Sequence, residues 1–210
     1  MYFNKENLQN MDGSRRLNII NSVTGIKPAN LIGTSSKEDG SNVAIISSVV
    51  HLSSNPALIG FFMRPHVDYR RDTYNNIQEN KVFTINHVTS DIVQRAHYTS
   101  AKLAANQSEF DACGLEEEYL ESFAAPFVKE SSVKMGLSLR EIITIKSSGT
   151  SLIVGEIEHL MLPDNSLNDS NYLDLEATQS IGVSGLNSYY KMAFKASYPF
   201  VRGTDMPEFD

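Results

Sequence analysis

Side chains able to hold an anion are concentrated in one stretch, FFMRPHVDYRRDTYNNIQEN, residues 61–80. Arg64, Arg70 and Arg71 fall within eight positions and are followed at once by Asp72 and Thr73. Guanidinium groups grip phosphate or carboxylate oxygens in a planar, two-pronged way through charge-assisted hydrogen bonds. The chain as a whole carries a formal net charge of −7, so a local basic knot stands out. It also precedes TYNNIQE, a segment of helical pattern, and the N–H groups that open a helix favour an anion. The same residues equally form a solvated loop with Asp72 as helix N-cap. Pattern alone gives that plainer reading the larger share.

Two further stretches would complement an anion site. NVAIISS, residues 42–48, places Asn42, Ser47 and Ser48 along a β-rich run, and YTSAK, residues 98–102, adds hydroxyls and Lys102 at the end of a predicted helix. A mononucleotide cofactor needs such a set: cations, hydroxyls and N–H groups for its phosphate, and an apolar slot for its ring.

Other chemistries are poorly served. The histidines (His51, His66, His87, His97 and His159) form no H-x-x-x-H and meet no cysteine or carboxylate at metal-ligand spacing, so no metal is expected. His87, at a predicted strand end, reads as packed and hydrogen-bonded. GVSG at 182–185 stops one residue short of a nucleophile elbow, because position 186 is Leu. Ser131-x-x-Lys134 and Ser188-x-x-Lys191 match S-x-x-K without its S-D-N or K-T-G companions. Cys113, the one cysteine, sits in the acidic DACGLEEE, which raises a thiol pKa and marks it as structural. Neither G-x-G-x-x-G nor a Walker A motif is present. No catalytic residue is assigned.

The elements that must position these groups are mainly β. NLIGTSS (30–36), VAIISSVVHL (43–52) and ALIGFFM (57–63) read as three strands of a meander, joined by an Asp-Gly turn longer than two residues and by SSNP. A short helix at 73–79 should turn Tyr74 and Ile77 inward, and KVFTINHV (81–88) returns to β. Residues 90–104 predict a helix capped by Thr89 or Ser90. EFDACGL should stop at Gly114, with an acidic helical turn after it. Residues 133–147 and 151–162 predict two long strands joined by SGT. LNIINSVTG, in a polar lead-in over 1–27, should pack on the body; the loop-rich extension 163–210 carries a further element near 186–194. A closed or split barrel in a single domain spanning 1–210 suits this order better than a doubly wound sheet, because hairpin turns outnumber crossover helices.

Composition fits that architecture. The 210 residues are 41% hydrophobic and 20% charged, without Trp, enough to bury a core without disulfide staples. The acidic balance gives no nucleic-acid footprint, no apolar run approaches membrane-span length, and the polar start is unlike a signal peptide. A cytoplasmic protein is expected.

The order of these motifs, KPANLIGTSSKEDGSNVAIISSVVHLSSNPALIGFFMRP, RRDTYNNIQENKVFTINHV, HYTSAK, SEFDACGL and GTSLIVGEIEHLML, resembles the flavin reductase-like family of FMN-binding split β-barrels over residues 27–194. The resemblance implies a six-stranded, Greek-key-like barrel, a homodimer with FMN near the subunit interface, and flavin redox chemistry without a protein nucleophile. By position it implies that the strand from Asn42 to Ser48, with Ser47, and the segment His51, Leu52, Ser53 lie along the isoalloxazine ring. Arg64, Arg71, Thr73, Ser100 and Lys102 would surround the phosphate, Arg70 remaining a surface charge, and Tyr189 would reach the flavin or the partner subunit. The expected activity is NADH- or NADPH-dependent reduction of flavin, with hydride transfer at N5 and free flavin or another small molecule as acceptor. The alternative is a flavin-binding electron-transfer protein without nicotinamide turnover.

Overall fold

The computed structural model describes residues 1–65, 71–104, 107–120, 122–203 and 206. Two helices open the chain, α1 (Lys5–Asn10) and α2 (Gly13–Ser22), each started by a side-chain cap, Asn4 and Asp12. Then follow β1 (Lys27–Pro28), β2 (Asn30–Ser36), β3 (Gly40–Ile46), β4 (Val49–Ser54), β5 (Ala57–Met63), α3 (Asp72–Asn80), β6 (Val82–His87), α4 (Val93–Tyr98) and α5 (Glu109–Cys113). The chain continues through β7 (Glu117–Glu118), β8 (Phe127–Val128), β9 (Lys134–Ile145), β10 (Thr150–Met161), β11 (Ile181–Ser184) and β12 (Ser188–Lys191). Among the described residues no helix is long and apolar enough to cross a membrane.

The main sheet is antiparallel, in the order β3-β2-β6-β9-β10-β5-β4. β3 and β4 are neighbours in the chain yet occupy opposite edges. Laid flat, seven strands at about 4.8 Å spacing would hold those edges roughly 29 Å apart. Only Ser47 and Ser48 join them, a link that spans at most roughly 11 Å. The sheet must therefore curl until its edges meet at those serines. Counted with β3 and β4 as one broken strand, it is a six-stranded barrel, as the resemblance implies. The correction concerns the meander: the run 43–52 breaks at Ser47–Ser48 and changes edge instead of continuing as one strand.

Alternation sorts the side chains into two cores. Ile32, Phe61, Phe83, Ile85, Leu137 and Ile153 fill the interior, where Phe61 meets Phe83 edge-on at 5.6 Å. Tyr74 and Ile77 of α3 join this cluster. Gly155 is needed here, since a Cβ on it would sit 2.5 Å from Phe83 Cζ. The opposite face of β2 and β3, with Leu31 and Val43, packs under Ile92 and Ala96 of the α4 region, Phe110 of α5 and Val183 of β11. The β2–β3 hairpin turns over residues 37–39, and Gly40 supplies the left-handed backbone (φ 82°) that ends the turn.

Several other expectations need correction. Asp72 is the first residue of α3 rather than its cap; Arg71 holds the N-cap position without a side-chain cap bond. The predicted helix over 90–104 is a single short one, preceded by Ile92 and closed at Thr99, whose hydroxyl is diverted to Ala96 O (2.8 Å) and to the N–H of Ile45 (2.9 Å). Gly114 does stop α5, at φ 65°, but the acidic residues after it form strand β7, paired with β8. α2 buries none of its residues, and Leu17, Ile20 and Val23 stay exposed. The element near 186–194 is β12, paired with β11.

His87 ends β6 with Nδ1 3.0 Å from Ser180 Oγ, and burial pushes its pKa down to about 4. The folded protein thus keeps this ring neutral while the unfolded chain protonates it near pH 6.5. Its contribution is whole above pH 6.5 and is lost as pH falls towards 4, roughly 3 kcal/mol at most. Urea unfolding at pH 7 and pH 4.5 should show a smaller loss of stability on acidification in His87→Gln than in the wild type.

Candidate functional site

A cleft of about 820 Å³ opens where the sheet closes on itself. One side is β3 and the Ser47–Ser48 corner, with Ala44, Ile45 and Ile46. Ser48 fixes the corner to β5: its hydroxyl donates to Phe62 O (2.9 Å) and accepts from Phe62 N–H (3.1 Å). Phe62, Met63 and Arg64 follow it along the rim.

Arg71, Asp72 and Thr73, at the start of α3, form one end. Thr73 is buried and belongs to a polar net that ties α3 to the hairpin β2–β3. The Asn42 amide lies 3.2 Å from Thr34 Oγ1 and 3.1 Å from Thr73 Oγ1, and Asn76 Nδ2 donates to Thr34 Oγ1 at 3.1 Å. Turned so that its oxygen accepts from both threonines and from Val43 N–H, Asn42 donates its N–H to Glu109 Oε2 at 3.2 Å. Glu109 also lines the cleft. Burial and, to a lesser extent, the nearby Asp72 raise its pKa. Arg71 is half-buried, and its Nε is buried without a hydrogen-bond partner. A buried guanidinium donor without an acceptor is a group that gains from an anionic partner.

The third side comes from α4 and the segment after it, with His97, Thr99, Ser100 and Lys102. Opposite β3 stand Asn21 and Lys27 from the lead-in, and Val183, Leu186, Asn187 and Tyr189 from β11, β12 and the turn between them. His97 Nδ1 and Tyr189 Oη are 2.9 Å apart, with the rings edge-to-face. Burial raises the Tyr189 pKa, so the phenol keeps its proton.

Of the residues singled out by sequence, the cleft gathers Asn42, Ser47, Ser48, Arg64, Arg71, Thr73, Ser100, Lys102 and Tyr189. His51, Leu52 and Ser53 lie instead on the edge strand β4, His51 and Leu52 exposed, and do not line it. Arg70 and His66 lie outside the described residues. Lys27, His97 and Glu109 were missed. Each is far in sequence from the arginine knot, and only the fold brings them to it. Cys113 is half-buried, its thiol pKa raised by burial and by Glu109.

The model of the flavin reductase like domain matches residues 26–178. The chain belongs to that family. A candidate flavin reductase with a split barrel domain from Shewanella frigidimarina is 40% identical, with a TM-score of 0.91 over 96% of this chain and 100% of that one. Nitrilotriacetate monooxygenase component B of Bacillus cereus shares the fold at 20% identity (TM-score 0.82, 94% and 98% covered). So does the flavoredoxin of Desulfovibrio vulgaris, at 23% identity (TM-score 0.72, 85% and 93% covered). This flavin reductase-like protein is thus a flavin-binding oxidoreductase, with a split β-barrel fold.

The buried net gives a test that needs no cofactor. Asn42→Ala leaves Thr34 and Thr73 without the amide they share, at a cost of about 1–3 kcal/mol. Urea unfolding of the cofactor-stripped protein should show that loss.

Proposed function

We propose that the flavin is FMN, with its phosphate at the Arg71 end of the cleft, and that NADH or NADPH reduces it. The observation that carries this reading is the buried, unpartnered Arg71 Nε beside the Thr73 hydroxyl at the start of α3. A phosphate would supply the acceptor that this donor lacks, and Ser100 and Lys102 bring a hydroxyl and a second cation to the same cleft. When bound, FMN supplies a ring that accepts hydride at N5 and passes electrons to a free flavin or another small acceptor.

The chain's own part is binding and orientation. Ala44, Ile45 and Ile46 offer a strand edge and apolar surface to a flat ring, and the Ser48–Phe62 bonds hold that corner rigid. Glu109 turns the Asn42 amide towards Thr73, so the phosphate end is pre-set by groups that need not move. Its volume lies within the range of small-molecule pockets. A redox ring requires no acid–base pair from the protein, in keeping with the absence of such a pair from the motifs.

The purified protein should be yellow, or become so with FMN, and should oxidise NADH or NADPH with added flavin. Arg71→Ala should weaken FMN binding about ten- to hundredfold by fluorescence titration, since it removes a bond to a charged group worth roughly 1.5–3 kcal/mol; Thr73→Ala, whose hydroxyl proton goes to Asn42, should weaken it less. Unchanged affinity would remove the phosphate assignment. Tight FMN without nicotinamide oxidation would point to electron transfer from a protein partner.

We also infer a homodimer. Leu17, Ile20 and Val23 of the α2 region and Phe194, Tyr198 and Phe200 of the C-terminal segment are large apolar side chains left in solvent, and a second copy of the chain would cover them. Light scattering should give twice the 23.3 kDa chain mass, and Leu17→Asp with Ile20→Asp should shift the protein towards monomer.

A further inference from the structure

The wall of the cleft facing β3 carries a second positive pole, built from different elements than the first. Lys27 Nζ donates to Asn21 O and to Gly185 O, each at 3.0 Å. An ammonium has three N–H donors, so one remains. Among the described residues none of the ion pairs includes Lys27. Its charge is therefore fixed in place by two carbonyls and, among the described residues, paired with no carboxylate. Beside it on the same wall stand His97 and Tyr189. With His97 donating from Nδ1, the Tyr189 oxygen accepts and the phenol keeps its own O–H for a ligand.

We propose that Lys27 and Tyr189 form a subsite for the carboxylate of an organic co-substrate, bound in the same cleft as the flavin. The chemistry of the pole selects that class. A phosphate dianion calls for several cations, as at the Arg71 end, whereas one ammonium with one neutral hydroxyl matches a single negative charge. Val183, the cross-strand partner of both Lys27 and Tyr189, and Leu186 give the rest of such a molecule an apolar bed. Lys27 is half-buried, so its charge is less screened than that of a surface lysine. The two carbonyls come from the end of α2 and the β11–β12 turn, so the ammonium is oriented before the ligand arrives and little is lost in ordering it.

This inference rests on the flavin reading above, and its test separates the two. The protein is first loaded with FMN and uptake is read from the visible spectrum; a protein that takes up no FMN overturns both. The loaded protein is then titrated at pH 7 with benzoate and with benzamide, which share a shape and differ in charge, following the flavin absorbance and the heat of binding. Benzoate should bind about tenfold more tightly than benzamide. Lys27→Met should bring that ratio to about one while benzamide still binds, Lys27→Arg should keep it, and Tyr189→Phe should reduce it. A wild-type ratio near one, or a preference that survives Lys27→Met, overturns the subsite.

Discussion

The closure of one sheet by two serines governs the rest of this structure. β3 and β4 could not be consecutive in the chain and also form opposite edges of an open sheet, because Ser47 and Ser48 are too short a link. Once the edges are forced together the interior must be filled, and the aromatic pair Phe61 and Phe83 does so from strands on different sides. The bend also prevents β3 from pairing onward into β4. Its outer half is left as a surface on which a planar ligand can lie, and the cleft begins there. Fold and site are thus two results of the same geometric demand.

The polar groups near the cleft are unequal in purpose. Thr34, Asn42, Thr73 and Asn76 are buried and spend their hydrogen bonds on one another, joining α3 to the hairpin. Arg71 is not satisfied in this way: one of its donors is buried and unmatched. A group of that kind is costly to the protein alone and gains when an anion arrives. Satisfied amides and hydroxyls behind that guanidinium give a rigid support for the phosphate site proposed above.

Sequence reading succeeded where one physical signal dominated. NLIGTSS and ALIGFFM match β2 and β5 to the residue, because turn-forming residues bound both and branched or aromatic side chains fill them. The long β9 and β10 were equally legible. The break at Ser47–Ser48 was not, since two serines inside an apolar run carry no turn signature; what breaks the strand is closure, a non-local demand. The predicted helix over 90–104 was overestimated because Thr99 closes it, its hydroxyl donating back to Ala96 O while accepting from Ile45 N–H of β3. Arg71, Thr73 and Asn42 were legible as chemistry. Lys27 was not, as a lone lysine beside a proline says nothing until Asn21 and Gly185, 158 residues from it in the second case, are brought to its ammonium.

That distance in sequence explains why the cleft has two kinds of wall. The Arg71 side is built within the body of the fold, where α3 joins the β2–β3 hairpin through Thr34, Asn42, Thr73 and Asn76. The Lys27 side needs the lead-in and the C-terminal hairpin to meet, through β1 pairing with β11 and through Lys27 itself. The wall is tied to the barrel by Ala29 N–H donating to Ile181 O (3.1 Å), by Ile181 N–H donating to Val88 O (2.9 Å) and by Ile181 and Val183 packing in the core, so Lys27 is held by a wall that the core itself fixes. An ammonium oriented by two carbonyls on such a wall loses little freedom on meeting a ligand, which is what the carboxylate subsite proposed above requires.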